Sequence, residues 1–184
     1  MLRLRQYKSC DAGKIVAWCK DEISFRKWCS DRWASFPITA DDMNDKYFGS
    51  NGDCPDADNF YPMTALDGNE VVGHLILRYT DEERKILRFG FVIVDDTRRG
   101  KGYGKEMLKL TLKMAFEIMG AEKVTLGVFD SNAPAYHCYK AAGFTETGEC
   151  YSIELLGDEW KCVEMKLERE DYYAEPQGKQ DYRN

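Results

Sequence analysis

The stretch from Ile86 to Leu110 constrains the fold of this 184-residue chain more than any other. It opens with Ile86-Leu87-Arg88-Phe89-Gly90-Phe91-Val92-Ile93-Val94, whose β-branched and aromatic content predicts a short buried strand. Asp95, Asp96 and Thr97 follow, then Arg98-Arg99-Gly100-Lys101-Gly102-Tyr103-Gly104, and from Lys105 to Leu110 the pattern is helical. Strand, glycine loop and helix succeed one another without a gap. The first N–H groups of a helix have no intrahelical partner and sit at the positive end of its dipole, so such a junction offers a site to anions. Glycines at 100, 102 and 104 permit positive φ and close approach to the backbone, while Arg98, Arg99, Lys101 and Lys105 add positive charge. The segment reads as a cradle for a diphosphate.

Spacing separates the candidate diphosphates. A P-loop requires Gly-Lys-Ser/Thr with a glycine five positions before the last one; here Gly104-Lys105 precedes Glu106, and Arg99 holds the earlier position. The dinucleotide fingerprint Gly-x-Gly-x-x-Gly fails because its last glycine would fall at Lys105 or Met107. The pattern that fits is Arg99-x-x-Gly102-x-Gly104. With the strand before it, the segment Val92 to Leu110 resembles the acyl-CoA-binding motif of the GNAT superfamily of N-acetyltransferases. Downstream, the strand-like Lys123 to Phe129 leads into Asn132-Ala133-Pro134-Ala135-Tyr136-His137-Cys138-Tyr139-Lys140-Ala141-Ala142-Gly143-Phe144, similar to the later block of the same family. Order and separation of the two blocks both match.

The resemblance implies a mixed α/β domain spanning residues 1–170, with a mostly antiparallel sheet, one parallel, splayed strand pair and helices on both faces. It implies an acyltransferase that uses acetyl-CoA as co-substrate, without a metal, to acetylate a primary amine of a small molecule or peptide in a ternary complex. Carried onto this chain, Val92, Ile93 and Val94 pair with the pantetheine arm, and Arg99, Gly100, Lys101, Gly102, Tyr103, Gly104 and Lys105 hold the diphosphate. Asn132 either contacts the arm or caps the following helix. Residues 135, 138, 139 and 142 share one face of that helix, so Tyr139 points inward, as the general acid that reprotonates the thiolate or as a packing residue. Many relatives carry a central-strand glutamate where this chain has Arg88-Phe89-Gly90-Phe91; the base is then water, or Glu22, Asp31 or Asp42. Two rivals stay open: a CoA-binding sensor without turnover, and a nucleotide-binding regulator.

Composition narrows the classes further. A net charge of −6, without a long basic stripe, argues against nucleic acid. No apolar run approaches a membrane span and no signal core follows Met1, so a cytoplasmic protein, monomer or homodimer, is expected. Seven cysteines in an odd count without Cys-x-x-Cys spacing, and two histidines, favour neither disulfides nor zinc; Cys138 is the thiol to test for reactivity. His74 and His137 read as structural or solvated.

Along the chain, Leu2 to Tyr7 predicts a first strand. Ala12 to Trp33 predicts helix broken near Lys20 to Ser24, with Phe25, Trp28, Trp33 and Phe36 as core or acceptor-pocket aromatics. A further helix starts at Thr39. A hairpin turns at Asp67-Gly68-Asn69. The helix from Gly104 to Met119 shows an apolar stripe of Met107, Leu108, Leu110, Thr111, Met114, Ala115 and Ile118, and a closing hairpin uses Glu149 to Leu155 and Trp160 to Leu167. Residues 171–184 read as a frayed polar tail.

Overall fold

The predicted strands assemble into a single sheet of seven, in the order β1-β2-β3-β4-β5-β7-β6. In chain order these are β1 (Leu2–Gln6), β2 (Tyr61–Asp67), β3 (Glu70–Tyr79), β4 (Ile86–Val94), β5 (Lys123–Phe129), β6 (Thr145–Leu155) and β7 (Asp158–Glu168). The coordinates are a computed structural model that describes residues 1–174. Every neighbouring pair is antiparallel except β4 and β5, which are parallel. A parallel pair needs a crossover, and the helix after the glycine loop supplies it.

Strand alternation divides the apolar residues between two cores. Leu75, Leu77, Leu87, Phe89, Val124 and Leu126 face α4 (Tyr103–Lys113) and α5 (Ala133–Ala141). On the other face, Leu66, Val71, Ile76 and Ile93 meet α1 (Ala12–Val16), α2 (Glu22–Cys29) and α3 (Ala40–Asn44). Removing such side chains from water contributes about 1.5–3 kcal/mol each. The break between α1 and α2 spans residues 17–21, earlier than the expected Lys20 to Ser24, because Asp21 already caps α2, accepting the Ser24 N–H at 2.7 Å; α2 also ends at Cys29 rather than near Trp33.

Three expectations in the later half of the chain need correction. The α4 stripe holds for Met107, Leu108, Thr111 and Ala115, but Leu112 and Phe116 are buried as well, and Ile118 is 77% exposed. A π-helical turn over Met114–Ile118 inserts extra backbone per turn and carries the later side chains out of phase with a 3.6-residue period. The tail expected from Asp171 instead begins within α6 (Arg169–Ala174), where Tyr172 packs its ring 4.8 Å from that of Phe116. The remainder of that expected tail, 175–184, lies outside the described residues. The closing hairpin is also longer than read, since β6 starts at Thr145.

Candidate active site

β4 and β5 are paired only at Ile86–Lys123, Leu87–Val124 and Arg88–Thr125. Beyond Arg88, β5 continues along β7 to Phe129 while β4 stays with β3 to Val94, so the two strands diverge and leave one edge of β4 without a partner. The register between β3 and β4 slips between His74 and Ile76, and opposite the slip Phe91 has φ +48°. A bulky residue in the left-handed region costs on the order of 1–2 kcal/mol, so the surroundings must hold it. They do so with the indole of Trp28, whose Nε1 donates to the Phe91 carbonyl oxygen at 2.9 Å, and with the Trp33 ring 5.4 Å away. Bulges of this kind re-aim the backbone and end pairing.

The divergence opens a cavity of about 540 Å³, within the roughly 300–1,000 Å³ typical of ligand sites. Val92, Ile93 and Val94 form one wall, Ala135, Cys138 and Tyr139 of α5 the other, and the glycine loop closes one end. Gly100 and Gly102 adopt φ +75° and +85°, and Gly102 is the residue from which α4 starts. The N–H groups of the first turn of α4 are thus presented to this end. Arg99 and Lys105 are exposed and line the cavity, without an ion pair to any described residue. Arg98 is committed elsewhere, 3.5 Å from Asp95 and over the Tyr103 ring, and the Tyr103 hydroxyl donates to Asp67 at 2.6 Å. Lys101 folds back to donate to the Thr97 carbonyl at 3.2 Å and does not line the cavity.

A second cavity of about 170 Å³ lies on the α2 side of the sheet, and Lys27, Trp28, Val92, Asn132 and Tyr139 border both. Tyr139 is 7% exposed; its hydroxyl makes no hydrogen bond to a described residue, and burial pushes its pKa well above the usual value near 10. Asn132 precedes α5 without a side-chain cap bond, which leaves its amide for the cavities. The sulfur of Cys138 sits against the loop, but burial raises its pKa too, so it is a less reactive thiol than a solvated one.

The profile of the acetyltransferase (GNAT) family matches residues 25–144. The chain belongs to this family. The match covers the central strand, the glycine loop and the Asn132 to Phe144 block, the same elements that build the two cavities. Among curated relatives, the chain is 30% identical over 97 residues to the SPbeta prophage-derived uncharacterized N-acetyltransferase YokL of Bacillus subtilis, covering 52% of this chain and 54% of that one. It is 30% identical over 95 residues to the L-amino acid N-acetyltransferase AaaT of Escherichia coli, covering 50% and 57% respectively. The chain thus spans about half the length of the curated relatives it matches. The spermidine N-acetyltransferase of Vibrio cholerae, solved with CoA and spermine, superposes with a TM-score of 0.77 at 20% identity over 94% of this chain and 98% of that one, a likeness of fold.

Three parts of this candidate site were not legible in the sequence. The Phe91 bulge and its Trp28 clamp leave no local signal, since an aromatic residue in an apolar run reads as an ordinary strand position. The second cavity is floored by Arg88, whose guanidinium makes a bidentate pair with Glu164 of β7 at 2.7 and 2.7 Å. Arg88 was conspicuous in the apolar strand, but its partner lies 76 residues later. Gly127 makes room for the pair: a Cβ there would stand 2.9 Å from Arg88 Nη2 and 2.9 Å from the Cys162 sulfur. The expected bases lie elsewhere. Glu22 pairs with Arg26 at 3.2 Å, Asp42 caps α3 through the Thr39 N–H, Asp31 sits 3.9 Å from Arg32, and none borders either cavity. Phe25 and Trp33 belong to the core under α2, whereas Trp28 also borders both cavities. His74 is buried against the Tyr47 hydroxyl at 2.8 Å, and His137 is exposed at the groove rim.

Proposed function

We propose that the protein acetylates a primary amine with acetyl-CoA, by direct attack in a ternary complex. The observation that carries this reading is the pair of cavities meeting at Tyr139, one with the glycine loop at its far end and the other reaching the sheet from the α2 side. The diphosphate of the donor would lie on the first turn of α4 with Arg99 and Lys105 around it, and the pantetheine arm along the open edge of β4 beside Val92 to Val94 and Asn132. Main-chain N–H groups of that edge would stabilise the oxyanion that develops when the amine nitrogen attacks the thioester carbonyl.

The new C–N bond forms as the C–S bond breaks; the amine gives up a proton and the departing thiolate needs one. Tyr139 is the group proposed to meet it. Its raised pKa keeps the phenol protonated, and in a cavity shielded from water a hydrogen bond from that phenol to the developing thiolate is strengthened. Among the described residues the one carboxylate bordering the cavities, Asp53, is paired with Lys46, so water is proposed to take the amine proton. A CoA sensor would require only the first cavity. Localisation in the cytoplasm fits the described residues, among which no helix is long and apolar enough to cross a membrane; a monomer or homodimer is proposed.

The test is thiol release from acetyl-CoA across amino acids, peptides, polyamines and aminoglycosides, with CoA binding followed separately. Amine-dependent release supports transfer; CoA binding with no release for any class would favour the sensor.

A further inference from the structure

The charges around the second cavity specify its occupant, granted the acetyl transfer proposed above. Four basic side chains, Lys27, Arg32, Arg78 and Arg88, border it against one acid, Asp53. Asp53 is already paired with Lys46 at 2.5 Å. Arg88 is neutralised by Glu164, with both side chains largely shielded at 24% and 16% exposure. Lys27 donates to the Ser131 carbonyl at 3.0 Å, a neutral partner.

Arg78 stands apart. It is the residue directly opposite Arg88 across β3 and β4, so the two side chains lie on the same face of the sheet. Like charges placed directly opposite each other are destabilising, and Glu164 relieves only one of them. The half-buried Arg78 side chain makes no hydrogen bond or ion pair to any described residue. A guanidinium left unpaired on a cavity floor is a fork matched to a planar anion. The same field repels a polycation, because charges in a partly shielded cleft interact far more strongly than in open water. The volume of about 170 Å³ is comparable with a cavity of about 150 Å³ that takes a benzene ring, which sets the scale of the acceptor.

We propose that the acceptor is a small amine bearing a carboxylate, an amino-acid-like molecule whose carboxylate pairs with Arg78 while its amine points toward Tyr139. This departs from a polyamine acceptor, which the basic lining would disfavour.

The experiment compares kcat/KM for a set of α-amino acids, their carboxamides, their aminophosphonate analogues and spermidine, in the wild type, Arg78→Gln and Arg78→Lys. The expected result is a preference of at least about tenfold for acid over amide in the wild type, equivalent to about 1.4 kcal/mol, expressed in KM. Arg78→Gln should bring acid and amide to near parity by raising KM for the acid, and Arg78→Lys should restore part of the preference. CoA affinity and melting temperature, measured on each variant, separate this effect from misfolding. Amide or spermidine used as well as the acid by the wild type would overturn the proposal, as would an undiminished preference in a folded Arg78→Gln protein. A phosphonate preferred to the carboxylate would overturn the choice of anion. Absence of transfer to every amine, with CoA bound, would instead remove the acetyltransferase reading on which the proposal stands.

Discussion

The indole N–H of Trp28 holds the carbonyl of Phe91 at 2.9 Å, fastening α2 to the one residue of β4 whose backbone is left-handed. Because Phe91 lies on the stretch of β4 beyond its last pairing with β5 at Arg88, this bond couples the N-terminal helices to the shape of the groove between the two strands. Trp28→Phe keeps the ring contacts and deletes the donor. A hydrogen bond of this kind contributes about 1 kcal/mol, and the freed bulge can relax toward regular strand. The expected outcome is a several-fold fall in kcat, with CoA affinity, measured by calorimetry, within about threefold of wild type.

Gly102 sets the direction of the first turn of α4. A Cβ at this position meets no atom within 4 Å, but φ is +85°, so Gly102→Ala should cost on the order of 1 kcal/mol through backbone strain alone. Gly102→Glu adds a negative charge at the anion site and should abolish CoA binding. Retained CoA affinity in a folded Gly102→Glu protein would show that the loop is not the cradle.

Tyr139→Phe should lower turnover by roughly 10²-fold, the low end of the range for general acid–base groups, while donor affinity changes little. The pH profile offers a second readout. Burial raises the Tyr139 pKa, so the phenol stays protonated through the alkaline range and the rate should climb with amine deprotonation without falling off before about pH 10. A descending limb near pH 8 in the wild type would assign the acid to another group.

His74 predicts an acid sensitivity of folding. Burial lowers its pKa from 6.5 to about 3, against a smaller opposing effect of Asp11. The unfolded chain therefore binds this proton more readily, so the stability His74 permits is complete above pH 6.5 and declines as pH falls toward 3. Between pH 6.5 and 5 the loss should reach about 2 kcal/mol. His74→Gln should flatten that segment of the stability curve in urea titrations, whereas a slope unchanged by the substitution would place the effect on another residue. Asp11 acts in a lower window: burial pushes its carboxyl up, but bonds from Arg5, the Lys8 N–H and Thr64 outweigh this and hold it below 3.8, so its contribution is lost only below about pH 4.

How far the sequence could be read follows from how locally each feature is encoded. The glycine loop, the helix after it and the inward placement of Tyr139 are set by residues within a turn or two of one another, and the structure places them together. The parallel β4–β5 pair followed from the crossover helix. The π-helical turn after Lys113 did not, because it changes the phase of an otherwise regular apolar pattern and Ile118 looks no different from a core residue. Arg88, Arg78 and Glu164 were beyond reach for another reason: their relation depends on strand register, and β7 joins the sheet 76 residues after Arg88. The lining of the second cavity depends on those long-range pairs, which is why the glycine-loop side of the candidate site was legible and the Arg78–Arg88 side was not.

The divergence of β4 from β5 has a consequence for the kinetics of donor capture. Beyond Arg88 each strand is secured to its other neighbour, β4 to β3 on both sides of the Phe91 bulge and β5 to β7, so the wedge between them is kept apart by two independent ladders rather than by a movable flap. Closing it would mean breaking one of those ladders, and a cleft with no collapsed alternative imposes no population penalty on its ligand. Donor association should therefore be a single concentration-dependent step, with selectivity for the donor expressed in how long it stays.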